Sequence, residues 1–116
     1  MPRAPIRPEF RRLSDWLASA RSGLVSINTN PLALAQAASA WDLLENNLGK
    51  LESTEAEEWA TTVLRIVRKG PNMPAGGLPE VQKSLSREDK ATLRDLVKRL
   101  DKHVEDLYYN RRRKLV

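Results

Sequence analysis

The chain has no cysteine, a single histidine and few aromatic residues, with three Trp, two Tyr and one Phe among 116 residues. The absence of cysteine excludes disulfides, thiolate metal ligands and thiol nucleophiles. No apolar run reaches the roughly 18 residues that a membrane-spanning helix needs, and the beginning of the sequence lacks the apolar segment of a signal peptide. The sequence therefore predicts a soluble protein of the cytoplasm that does not bind membranes.

Residue patterns that carry catalysis are missing as well. His103 lies near Asp106, and we interpret it as a solvated residue on the flank of a helix, because no second histidine or cysteine exists to complete a usual site. Gly76 and Gly77 are not followed by the lysine of a phosphate-binding loop. We therefore expect a protein that is not an enzyme and that needs no metal, cofactor or small-molecule substrate.

Proline and glycine divide the chain into four parts. Prolines near the start predict a flexible basic arm over residues 1–7. Apolar residues at helical spacing then predict a helical core over residues 8–69. Three prolines and three glycines predict a hinge over residues 70–85. Ser86, with an acidic residue three positions later, begins a basic C-terminal helix and tail over residues 86–116.

Abundant Ala and Leu, together with apolar residues at steps of three and four, predict an all-α fold of three to four helices. We expect the first helix to run from about Pro8 to Thr29. The predicted apolar faces of the first and last helices are Phe10, Leu13, Trp16, Leu17, Ala20, Leu24 and Ile27, and Leu93, Leu96, Val97, Leu100, Val104 and Leu107.

The middle segment, residues 31–69, is compatible with two arrangements. Asn30, which is followed by proline, marks a helix start. Gly49 and a capping-box pattern at Thr54 and Glu57 would divide the segment into two helices. The choice between one helix and two rests on the phase of the apolar residues on either side of that break.

Trp41 and Trp59 lie eighteen residues apart, which is five turns at about 3.6 residues per turn, so both would face the same way in one helix. We therefore prefer a single long central helix, which should be the most buried element. Its predicted core or dimer contacts are Leu34, Trp41, Leu44, Leu48, Trp59 and Val63.

Positive charge is unevenly distributed along the chain. Residues 1–29 carry a net charge of +3, residues 30–69 carry −2 and residues 70–116 carry +4, which together give the +5 of the whole chain. Segregated charge indicates more about a partner than net charge does. The basic residues form rows on helical wheels: Arg7, Arg11 and Arg21 on the first helix, Arg65, Arg68 and Lys69 at the end of the middle segment, and Arg87, Lys90, Arg94, Lys98 and Lys102 on the last helix.

Such rows have two interpretations. Amphipathic helices often surround their apolar face with solvated, salt-bridged charges. Alternatively, a row about 20 Å long, at 1.5 Å per residue, can follow the phosphates of a nucleic acid. The Trp and Phe residues occupy predicted apolar faces, which disfavours base stacking with single strands. Long helices laid across backbones instead suit recognition of duplex shape.

Two short strings resemble the small RNA-silencing suppressor family of insect nodaviruses. Thr62-Val63-Leu64-Arg65-Ile66-Val67 is similar to that family's T-V-x-R-[MI]-V segment near the end of a long helix, and Thr92-Leu93-Arg94-Asp95-Leu96 is similar to the start of its final helix. The resemblance implies a viral protein of the host cytoplasm, built as an antiparallel homodimeric helical bundle that binds double-stranded RNA without reading its sequence. It also implies an RNA-contacting role for Arg65.

We therefore predict a non-catalytic, sequence-independent double-stranded-RNA-binding protein that suppresses RNA silencing. Two alternatives remain: a helical protein–protein assembly factor or adaptor that docks a partner on the alanine-rich face of residues 33–40, and a helical DNA-binding regulator. The predicted RNA contacts are Arg11, Arg21, Arg65, Arg68, Lys69, Arg94, Lys98 and Lys102.

Overall fold

The computed structural model describes residues 6–68 and 77–109, and all regular structure in these ranges is helical. Most of the predicted arm, Lys69, the first part of the predicted hinge and the basic run at 111–114 lie outside the described residues. The helices are α1 Arg11–Leu24, α2 Ala33–Gln36, α3 Ala38–Asn46, α4 Thr54–Arg68, α5 Gly77–Ser84 and α6 Arg87–Tyr108, with 3-10 turns at Pro8–Phe10 and Leu48–Lys50. The predicted all-α class is confirmed.

The longest helix, α6, forms the axis of the fold and packs against α1 on one side and α4 on the other. It runs antiparallel to α1, because the Arg7 N–H donates to the Tyr108 carbonyl at one end (2.8 Å) while Arg21 reaches Asp101 further along. Helices α2 and α3 cover α1, and α5 closes the fold over α2 and α4. Within the described ranges, no helix is long and apolar enough to span a bilayer.

The apolar faces predicted for the first and last helices form the core. Leu17 of α1 and Val97 of α6 are completely buried, and Trp16 and Leu96 at the edges are half-buried. The predicted start of α6 is confirmed, because the Ser86 hydroxyl accepts a hydrogen bond from the backbone N–H three residues later at 3.0 Å. Periodicity therefore located these two helices correctly.

The predicted single long central helix is wrong. Residues 31–69 are divided at Ala37 and again over 47–53, where Glu52 takes a left-handed conformation with φ 58°. A straight helix of this length would have presented Trp41 and Val63 to a partner chain. Folding α4 back against α3 instead buries both side chains within one core, and this is the hydrophobic gain that favours the break.

The predicted hinge is also wrong over residues 77–84, which form α5. Gly77 begins this helix with φ 67°, a conformation that glycine adopts without strain. Pro79 lies in the first turn, where the missing N–H costs no hydrogen bond. Val81 is completely buried and fixes α5 to the core.

Candidate nucleic-acid interface

Five basic side chains follow one side of α6, and we call them the α6 row: Arg87, Lys90, Arg94, Lys98 and Lys102. Lys90 is half-exposed and the other four are exposed. None of the five forms an ion pair with a described residue. Because they recur at steps of three and four, they lie beside the buried face over a length of about 22 Å.

Arg21 of α1 joins the row from the neighbouring helix. Its Nη1 lies 3.1 Å from Oδ2 of Asp101, a carboxylate whose side chain is 8% exposed, while about half of the arginine side chain stays in solvent. Arg21, Lys98 and Lys102 line one groove between α1 and α6, with a volume of about 530 Å³. Arg21 therefore adds a basic side chain from α1 beside the row, and its ion pair with Asp101 fixes the position of its guanidinium.

The same groove contains acidic side chains. Asp95 is engaged by Arg99 at 3.0 Å, and Glu105 and Asp106 also line the groove. The Arg99 guanidinium lies 5.8 Å from the centre of the Trp59 ring, on the side of α6 that faces α4. Acidic residues thus reduce the positive charge of this groove.

The predicted contacts on the middle segment lie elsewhere. Arg68 is bound by Asp42 at 2.8 Å and by Glu45 at 2.7 Å, and its side chain is only 27% exposed. Arg65 is exposed on the outer side of α4 and pairs with no described residue. The side of α4 that faces α6 carries Trp59 instead. The structure therefore does not bring either arginine next to the α6 row.

Two further predicted contacts remain apart from the row. Arg11 is exposed at the start of α1, where it faces Asp15 at 4.0 Å in a loose pair, and Lys69 lies outside the described residues. Of the eight predicted contacts, the structure therefore gathers Arg21, Arg94, Lys98 and Lys102.

The six residues predicted for a core or dimer interface take core positions within one chain. Four of them, Leu34, Trp41, Leu44 and Val63, are almost completely buried, and the other two, Leu48 and Trp59, are half-buried. The Trp41 indole donates to the Leu34 carbonyl at 3.0 Å. Their burial is therefore satisfied without a second chain.

A second cleft lies at the N-terminal end of the row, and sequence reasoning missed it. The turn at Asn28 and Thr29, Lys83 of α5 and Lys90 of α6 line this space of about 340 Å³, which we call the loop cleft. Lys83 fell in the segment interpreted as a hinge, and the turn carries no motif. The cleft could not be found from the sequence because its sides are more than 50 residues apart.

The buried amide of Gln82 fixes the loop cleft. Its Nε2 donates to the carbonyls of Ile27 (3.0 Å) and Asn30 (2.7 Å), and its Oε1 accepts from the Leu34 N–H at 3.1 Å. Gln82 is 4% exposed, so its amide forms these hydrogen bonds with the protein in place of hydrogen bonds with water. They join α5 to the turn on both sides of Asn28.

His103, near the opposite end of α6, differs from the sequence prediction of a solvated side chain. It is half-buried rather than solvated, and its Nε2 lies 2.6 Å from the Leu51 carbonyl. Because a carbonyl only accepts, that nitrogen carries the proton. His103 therefore joins α6 to the loop before α4.

An ion pair lies beside this bond. The hydrogen bond from Arg7 holds the pKa of Glu52 below its ordinary value, and the same bond raises the pKa of the Arg7 guanidinium. Arg7 also stacks over the Phe10 ring at 4.8 Å from its centre. Charge and ring stacking thus attach the start of the described chain to the loop at Glu52.

No protein-family model, curated protein or solved structure matches this chain. The resemblance to the nodavirus suppressors therefore stays a prediction that rests on two short strings. Among the described residues, no three potential ligands gather as a metal site. The α6 row consists of five basic side chains without an ion-pair partner among the described residues, and Arg21, which pairs with Asp101, lies beside it.

Proposed function

We propose that this protein binds duplex nucleic acid, double-stranded RNA first of all, through electrostatic contacts from the α6 row and Arg21, without reading sequence and without catalysis. The observation that carries the proposal is the row itself: five basic side chains along about 22 Å of one helix, none with an acidic partner among the described residues. Charges on a salt-bridged solvated face would be expected to pair with nearby acids. Arg68, Arg99 and Arg21 do so, whereas the row pairs with no acid within the ranges 6–68 and 77–109.

The length of the row supports a duplex over an isolated phosphate. Successive phosphates of one strand are about 3.4 Å apart along the helix axis, so the row is long enough to neutralise several of them. The Trp and Phe side chains do not offer a stacking platform for unpaired bases, because Phe10 and Trp41 are buried and Trp16 and Trp59 pack against the core. The burial of the Trp and Phe side chains therefore favours contact with the nucleic-acid backbone over base stacking.

The preference for RNA and the role in silencing come from the resemblance. A protein that covers duplex RNA would shield it from enzymes that cut or load it, and this needs no sequence readout. The structure changes which residues we expect to matter, because Arg65 lies on the outer side of α4 and the row lies on α6. We therefore place the main contacts on α6.

The test is a titration of labelled duplex RNA, duplex DNA and single-stranded RNA at several salt concentrations between about 50 and 200 mM. We expect about micromolar or tighter binding to duplex RNA at low salt. Neutralising five or six phosphates predicts a slope of log K against log salt of roughly −5. Absence of binding to every nucleic acid at low salt would contradict the proposal.

Matched variants locate the surface. Arg94→Ala and Lys98→Ala should each weaken binding and reduce the salt slope by about 1, because each removes one phosphate contact. Arg65→Ala is the control, since it removes another exposed cation, which lies on α4. If Arg65→Ala weakens binding and the two α6 variants do not, the contact surface is on α4, as the resemblance implies.

A homodimer belongs to the same proposal, with an interface outside the six core residues. Exposed apolar side chains that such an interface could cover are Ile6, Val25, Leu32 and Tyr109. Light scattering on the free chain separates a 13.1 kDa monomer from a dimer. The alternative of an adaptor loses part of its predicted surface, because Ala33, Ala37 and Ala40 are buried inside this chain.

A further inference from the structure

We propose that the loop cleft is a binding site for a phosphomonoester, the group found at the end of a nucleic-acid strand and in free phosphorylated metabolites. The inference rests on the proposed function for the first of these sources. Lys90 belongs both to the α6 row and to the loop cleft, so a strand that follows the row reaches the cleft at its N-terminal end. A terminal phosphate is then the group that enters it.

The charge of the cleft is the first reason. None of the described residues that line it is acidic, and Lys83 and Lys90 approach it from two different helices. The groove beside Arg21, by contrast, includes three acids. Lys83 has only a loose pair with Glu80 at 4.0 Å, with both side chains mostly in solvent, and such pairs contribute little.

The match to a monoester follows from its charge. A phosphomonoester carries about −1.5 to −2 at pH 7, whereas each internal phosphate of a strand carries one negative charge. Two lysines in one small cleft complement the former better than the latter. The remaining stretch of the row, where single cations succeed each other along α6, suits the internal phosphates.

Hydrogen-bond donors complete the site. Asn28 makes no hydrogen bond with any described residue, so its backbone N–H and side-chain amide are available to an anion. The neighbouring Thr29 hydroxyl donates to the Ser26 carbonyl at 3.2 Å and fixes the turn. Gln82 donates to the carbonyls of Ile27 and Asn30, so both carbonyl oxygens already have a hydrogen-bond donor within the protein.

The experiment compares one RNA duplex with 5′-phosphate, 3′-phosphate or only hydroxyl ends. We expect a terminal phosphate on at least one end type to increase affinity about tenfold, the effect of a charged hydrogen bond. Lys83→Ala and Asn28→Ala should remove this advantage. Asn28→Ala changes no charge, so its effect cannot come from a general loss of electrostatic attraction.

Lys98→Ala is the matched control, because it should weaken all three duplexes alike and leave their ratio unchanged. A parallel NMR titration with inorganic phosphate should shift the Asn28 and Thr29 amide signals in the free protein. If the three duplexes bind equally but phosphate shifts these signals, the site takes free phosphomonoesters and the strand-end source is wrong.

The duplex and phosphate titrations give one result if the inference is wrong and another if the proposed function is wrong. If no duplex binds while phosphate shifts the Asn28 signal, the proposed function fails and the cleft remains an anion site. If duplexes bind equally well with every end group and phosphate shifts neither amide, the proposed function stands and the loop cleft is not a phosphate site.

Discussion

Gln82 shows how much one buried polar side chain can decide. It joins α5 to the 27–34 segment through three hydrogen bonds and is 4% exposed. Every polar atom of the amide that becomes buried has a partner. Removing the amide would leave the Leu34 N–H and the Ile27 carbonyl without partners, while the Asn30 carbonyl keeps the hydrogen bond from the Ala33 N–H at 3.2 Å. Leaving such buried groups unpaired costs more than the bonds themselves contribute.

We predict that Gln82→Met lowers the free energy of unfolding by roughly 2–4 kcal/mol, because the change keeps the side-chain size but orphans these backbone groups. Gln36→Met is the control. Gln36 is exposed and only accepts a bond from the Asn30 side chain, so we expect a change of about 0.5 kcal/mol or less. The measurement is denaturant unfolding; equal midpoints for the two variants would show that Gln82 is not a structural link.

Residues such as Gln82 and His103 explain why sequence reasoning failed at this scale. Their hydrogen-bond partners lie 48 to 55 residues away along the chain. Local patterns contain no information on such partners. Sequence spacing alone therefore predicts a solvated His103 and gives no signal for Gln82.

At the scale of elements, the beginning of α4 differs from the sequence prediction by one residue. The pattern of Thr54 and Glu57 indicated a cap at Thr54. In the structure the Ser53 hydroxyl accepts from the Ala56 N–H at 3.1 Å, and Thr54 is the first helical residue. The capping function therefore belongs to Ser53.

We predict that Ser53→Ala lowers the free energy of unfolding by about 0.5–2 kcal/mol, the usual cost of losing an N-cap. Thr54→Ala should have a smaller effect, since alanine is the better helix former at an exposed position. Thermal unfolding of both variants gives the comparison. A larger loss for Thr54→Ala would place the cap at Thr54 after all.

The broken middle segment shows a different limit of local patterns. The phase of Trp41 and Trp59 was consistent with a straight helix, and the signals at Gly49 and Thr54 pointed to a break. Only the packing decides between them, because α4 must return beside α3 to bury Val63 in the same core as Trp41. Arg68 then reaches Asp42, which is 26 residues away in sequence.

At the scale of the whole molecule, the described residues form an elongated body of 52 × 26 × 25 Å with α6 along its axis. Charge is sorted around this axis. Asp42 and Glu45 are neutralised by Arg68 beside α3 and α4, while the α6 row has no acidic partner among the described residues. The two ends of the body also differ, with the loop cleft at one end and the contact of Arg7 with Glu52 at the other.

The contact of Arg7 with Glu52 predicts that the stability of the protein depends on pH. Since the pKa of Glu52 is lowered in the folded protein, its stabilising effect is present above the ordinary pKa of a glutamate and is lost as the pH falls through the lowered value. Glu52→Gln should therefore reduce stability at neutral pH. The variant should also lose less stability than the unchanged protein as the pH falls. Melting temperatures between about pH 7 and pH 3 measure this.

Glu58→Gln is the matched control for Glu52→Gln. Glu58 is an exposed carboxylate of α4 that forms no ion pair with a described residue. If both variants change the loss of stability at acid pH by the same amount, the effect comes from net charge and not from the contact of Glu52 with Arg7.

The sequence by itself determined the all-α class, the positions and buried faces of α1 and α6, and the existence of a basic row on α6, because each depends on residue spacing within one helix. Tertiary structure alone decided the break of the middle segment, the burial of Trp41 and Val63 within one chain, and the separation of Arg65 and Arg68 from the row. It also brought Arg21 to α6 and Lys83 to Lys90. These outcomes depend on which helices pack together, and that is set by the sum of apolar area buried across the whole chain rather than by any local pattern.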